Sequence, residues 1–76
     1  MNSMLLVTCK NAFDTQMLVS SLVGDDVTFV YHSETGDCFI PINSIEHSWE
    51  MQCRINDYDL DEEVRFLEFE VENHAV

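Results

Sequence analysis

From Arg65 to Glu72 the chain reads R-F-L-E-F-E-V-E, so that Leu67, Phe69 and Val71 alternate with Glu68, Glu70 and Glu72. A period of two belongs to a strand with one dry face and one wet face. This constrains the chain more than any other stretch, because a strand must find a sheet and its apolar side must find cover. A helix over the same residues, with Leu60, Val64, Leu67 and Val71 as its stripe, would strand Phe66 and Phe69 off that stripe. Aromatic residues also favour strands. The strand is therefore the expectation, with Leu67, Phe69 and Val71 inward and the three glutamates in a solvent-facing row spaced about 6 to 7 Å apart.

Upstream of this strand lies a loop, Asn56 to Glu63, that is equally acidic. Between Asp57 and Glu72 there are eight carboxylates against Arg65 alone, a formal charge of minus seven within sixteen residues that still hold enough apolar side chains to fold. The whole chain of 76 residues carries fifteen acids and three bases, net −12, and most of the imbalance falls after residue 24. That exceeds the magnitude of roughly 2 to 8 that solubility asks of a small domain. It points to one polarised face.

With 46% hydrophobic residues and five Phe, the chain can build a modest core within a single domain, residues 1–76. A deep substrate cavity is not expected, because a chain of this size buries only about 60% of its unfolded surface. No apolar run approaches the roughly 20 residues that span a bilayer, and no basic region precedes the short apolar run at Met4–Val7 as in a signal peptide. The expected location is cytoplasmic. Cys9, Cys38 and Cys53 are odd in number and form no C-x-x-C pair, so reduced, half-buried thiols are expected rather than disulfides or a zinc site.

Read in order, Met4–Cys9 is a candidate central strand. Ala12–Val23 is the one expected helix, with Phe13, Met17, Leu18 and Leu22 on one face, Asn11 as N-cap and Gly24 just past its end. Val27–His32 and Cys38–Ile40 flank the turn residues Ser33–Asp37 as a hairpin, and Pro41 marks an edge or an end because it cannot donate to a ladder. Ile45, His47, Trp49 and Met51 alternate with Glu46, Ser48, Glu50 and Gln52, which predicts a further strand with Trp49 in the core; the alternative for Trp49 is an interface anchor, as for Tyr58. The expected fold is α+β, an antiparallel sheet of four to five strands with a single helix, residues 12–23, packed on it; a small β-barrel is the alternative.

Most chemistry is excluded by the residues available. Asp57-x-Asp59-x-Asp61 followed by Glu68 follows part of a calcium-loop pattern, but Glu62 occupies the sixth position, where such loops need glycine for a sharp turn. His32, His47 and His74 are scattered, no serine or cysteine has a recognisable base, and no glycine loop cradles phosphate. No enzyme, cofactor or metal is expected. Direct nucleic-acid binding fails on sign, since three bases cannot neutralise phosphates.

What fixed carboxylates on a folded scaffold do is attract positive potential. The predicted function is an acidic inhibitor that occupies the basic surface of a nucleic-acid-binding protein or nuclease through Asp57, Asp59, Asp61, Glu62, Glu63, Glu68, Glu70 and Glu72, with Tyr58 as an apolar contact. In size and charge alone the chain resembles DNA-mimicking inhibitors such as anti-restriction and anti-CRISPR proteins of phages and antitoxins of basic nucleases. The alternative is an interaction module or homodimer formed through an exposed strand edge, with the acids serving solubility and specificity.

Overall fold

A computed structural model describes residues 3–71. The elements are β1 (Ser3–Thr8), α1 (Ala12–Gly24), β2 (Val30–His32), β3 (Asp37–Ile42), α2 (Ile45–Asn56) and β4 (Arg65–Glu70). The four strands form one antiparallel sheet in the order β2-β3-β1-β4. This βαββαβ connectivity is that of a split βαβ, or ferredoxin-like, unit. The chain is thus an α+β domain with an open sheet rather than a closed barrel, and its described residues form two helices where the sequence pattern predicts one.

The second helix corrects the reading of Ile45–Gln52 as a strand. Ser44 caps it, its hydroxyl accepting the His47 backbone N–H at 3.0 Å. Ser48, Met51 and Ile55 recur at helical spacing and are the residues it buries. Trp49 falls off that stripe and is 67% exposed, so it is not a core residue.

For α1 the expected cap holds: the Asn11 side chain accepts the Asp14 backbone N–H at 2.8 Å. Its buried face, however, is Asp14, Thr15, Leu18 and Leu22, while Phe13 is 58% exposed. Nor does Gly24 end the helix as a left-handed cap. Asp26 takes that role with φ 59°, and the Val27 N–H reaches back to the Leu22 carbonyl at 3.0 Å.

The hairpin is present but short on its first arm, since β2 begins only at Val30. Gly36 closes its turn at φ 77°, a conformation that glycine adopts without steric cost. β2 pairs with β3 only from Asp37 to Phe39, so β3 has no neighbour on that side at Pro41 and the missing N–H is harmless.

The core lies between the sheet and the two helices. Leu5, Val7, Cys38, Ile40 and Ile42 from the sheet meet Leu18, Leu22, Met51 and Ile55 from the helices, all buried. Among the described residues no helix is long and apolar enough to cross a membrane.

The register fixes the direction of β4. Val7 pairs with Cys38 on one side and Phe66 on the other, and Leu5 likewise joins Ile40 to Glu68. Directly paired residues point to the same face of a sheet. Phe66, Glu68 and Glu70 therefore share the helix-covered side, where Phe66 packs against the core and the two glutamates, at the sheet edge, remain exposed.

Leu67 and Phe69 point to the other side. They are 59% and 37% exposed, and Val71 is exposed as well, so the expectation that these three residues form core is overturned. Alternation reveals a strand's period but not which of its sides is covered.

Candidate binding surface

The acidic loop between α2 and β4 is held from within by α1. Asp14, fully buried, accepts the backbone N–H of Asp61 at 3.0 Å and that of Glu62 at 2.9 Å. Charge-assisted bonds of this kind are stronger than neutral ones. They leave the side chains of Asp61 and Glu62 outside while fixing their backbone. Leu60 and Val64 pack on the core to either side, so the carboxylates of the loop ride on an ordered segment.

Tyr58 anchors the beginning of that loop. It packs partly against the core, and its hydroxyl donates to the Asp25 carboxylate at 2.7 Å. Partial burial, and then that bond, push the Tyr58 pKa up to about 12. Asp25 also lies 3.8 Å from the Arg54 guanidinium. One open groove is lined by Asp25, Trp49, Glu50, Arg54, Asp57 and Tyr58, and a second by Tyr58, Leu60, Asp61, Glu62 and Glu63. Tyr58 lines both and joins them into one surface.

Along α2, Glu46, Glu50, Cys53 and Asp57 follow one another at helical spacing on the exposed side. Trp49 stands beside that stripe as a large apolar side chain in an acidic field. Glu68 and Glu70 flank the other end of the helix, lining a small pocket of 220 Å³ with Ile42, Asn43, Ser44 and Ile45. Between that pocket and Asp57 runs α2, a helix about 17 Å long.

The structure therefore places Asp57, Tyr58, Asp59, Asp61, Glu62 and Glu63 together, and sets Glu68 and Glu70 apart from them across α2. Glu72 lies outside the described residues. The sequence pattern missed Glu46 and Glu50 as members of this surface, left the membership of Asp25 open, and favoured the core over an interface anchor for Trp49. A helical reading of Ile45–Asn56, with Ser44 as its cap, would have found Glu46, Glu50 and Trp49.

Few of these charges are compensated. Twelve of the thirteen described acids other than Asp14 are exposed, and the ion pairs among the described residues are Arg54–Asp25 and a 4.0 Å contact between Lys10 and Glu62. Among the described residues no group of three or more His, Cys, Asp or Glu is placed to hold a metal ion. Of the residues in the partial calcium-loop pattern, Asp57 caps α2, the Asp61 backbone is tied to Asp14, and Glu68 sits in β4.

The thiols differ from one another rather than being uniformly half-buried. Cys38 is buried and Cys53 exposed. Burial pushes the Cys38 pKa up to about 11, and burial likewise raises that of Cys9, so both resist forming a nucleophilic thiolate. Comparison of the chain with protein-family models, with curated proteins and with solved structures returns no match.

Proposed function

We propose that this domain binds the basic surface of a nucleic-acid-binding protein and excludes nucleic acid from it. The observation that carries this reading is the set of uncompensated carboxylates on an ordered scaffold, with Asp14 holding the Asp61–Glu62 backbone and exposed Trp49 beside Glu46, Glu50 and Asp57. A disordered acidic tail would lose conformational entropy on binding. A pre-ordered surface avoids that cost.

The parts divide the work in physical terms. Carboxylates steer encounter and select a partner of opposite potential, while burial of an indole supplies affinity that charges at a wet rim do not. No cofactor or catalytic step is required.

The test is elution from immobilised nucleic acid. A cell extract is loaded on DNA- or RNA-cellulose at low salt and challenged with the purified domain. The expected result is release of a discrete basic protein, recovered in complex with the domain. Release matched by an equal charge of unfolded polyglutamate would show that negative charge alone, rather than this surface, is responsible.

A further inference from the structure

Among the described residues none covers the face of the sheet opposite the helices, where Val30, Leu67 and Phe69 are exposed. The register sets Val30, Phe39, Leu6 and Leu67 in one row across it and Pro41, Met4 and Phe69 in the next, with Phe39 in edge-to-face contact with Phe69 at 6.1 Å. In a chain with five acids for every base, these rows contain no charge. Charged side chains on the strands' open face are confined to the end row, which runs His32, Asp37, Thr8, Arg65, with Thr8 donating to Asp37 at 3.3 Å.

We propose that two copies of this chain stack through this face, about a two-fold axis in the interface and parallel to the strands. The end row selects the axis. Such a rotation keeps each row at its own height and exchanges its two sides, so Arg65 of one copy comes over His32 and Asp37 of the other, and the converse contact forms by symmetry. An axis across the strands would instead set Arg65 over the Pro41, Met4 and Phe69 end. The favoured arrangement also lays Leu67 over the second copy's Val30 and Leu6 over its Phe39, with the strands aligned as in stacked sheets. Charge depletion at the centre with polar groups at the rim is the anatomy of protein interfaces.

Four strands at about 4.8 Å and six residues at about 3.3 Å give a face of at most roughly 19 by 20 Å. That is roughly half the 800 Å² per partner of a standard interface, and with the net charge of each copy it places self-association at the weak end. The inference does not rest on the acidic surface, which lies on the helix side and remains open in the dimer.

Sedimentation velocity at protein concentrations from about 10 µM to 1 mM, in about 0.02 and 0.5 M NaCl, is the test. The expected result is a concentration-dependent shift towards twice the monomer mass, stronger at high salt because repulsion between the acidic copies is screened. Leu67→Gln with Phe69→Gln should abolish it at an unchanged circular dichroism spectrum. Arg65→Glu should weaken it at least tenfold, and Arg65→Glu combined with Asp37→Arg should restore it. Within one copy Arg65 and Asp37 are separated by two strand spacings, roughly 10 Å, so rescue reports contact between copies. A chain that stays monomeric at 1 mM in high salt overturns the proposal, as does a dimer indifferent to the Leu67 and Phe69 changes.

Discussion

Asp14 Oδ2 accepts the backbone N–H of Glu62 at 2.9 Å, joining the first turn of α1 to the acidic loop 48 residues later. The same carboxylate holds the Asp61 N–H through its other oxygen and is fully buried. A buried carboxylate is costly unless its oxygens are satisfied, and here backbone donors satisfy both. An acid at the helix N-terminus is further favoured by the helix dipole.

Removing that carboxylate should therefore loosen the loop and destabilise the domain together. Asp14→Ala leaves two N–H groups without their partner, for an expected loss of about 2–4 kcal/mol; Asp14→Asn, which retains one acceptor, should fall between. Denaturant unfolding measures the loss. Hydrogen exchange at Asp61 and Glu62 should accelerate in the same variants, and unchanged exchange there would separate the loop from Asp14.

The orientation of β4 predicts which of its residues tolerate change. Leu67→Ser should shift the stability of the monomer by no more than about 0.5 kcal/mol, as at other exposed positions. Leu5→Ala or Ile55→Ala should cost about 2–5 kcal/mol, because each empties a fully buried site. Chemical denaturation of the three variants at low protein concentration gives the comparison.

How much of this was legible in the sequence follows from the range of the forces involved. β1, α1, the hairpin turn and the strand character of β4 rest on local periodicity and capping, and all were readable. Ile45–Gln52 misled because its residues alternate and also recur at helical spacing; the helix is decided by Ser44 as cap and by the burial of Ser48, Met51 and Ile55, which depends on the sheet beneath. The direction of β4 is likewise set by its pairing with β1, since Glu68 must share a side with Leu5 and Ile40. Phe66, which breaks the apparent apolar stripe, is for that reason the aromatic that packs inward. The loop acids were recognisable as a cluster by proximity in sequence, whereas Asp25 joins them through tertiary contacts with the Tyr58 hydroxyl and Arg54.

Salt should stabilise the fold. Exposed carboxylates with few cationic partners repel one another, and that repulsion is screened over a Debye length of about 10 Å at 0.1 M. The melting temperature should rise between about 0.01 and 0.5 M NaCl, measured at low protein concentration to isolate the monomer. A flat or falling curve would contradict the uncompensated surface.

Alkali should destabilise it. Partial burial and the bond to Asp25 push the Tyr58 pKa up to about 12 when folded, above its ordinary value of 10.0, and burial pushes that of Cys38 up to about 11, above 9.0. The folded state thus holds these protons more tightly than the unfolded chain does, so stability present below about pH 9 declines as pH rises through 12. In Tyr58→Phe the part of that decline between pH 10 and 12 should shrink. Unfolding midpoints across this range, for the parent and the variant, provide the measurement.

In the proposed function the α2 and loop carboxylates meet a basic surface that otherwise holds nucleic acid. Replacing Glu50, Asp57 and Glu63 by Lys leaves the core untouched and sets like charges against that surface, which costs several kcal/mol where groups are closely apposed. The decisive measurement is displacement of nucleic acid from the partner by this triple variant, alongside the parent and a Glu68→Lys, Glu70→Lys control. The triple variant should fold as the parent does and lose displacement by at least a hundredfold, with a smaller loss in the control; displacement equal to that of the parent would overturn the proposed function.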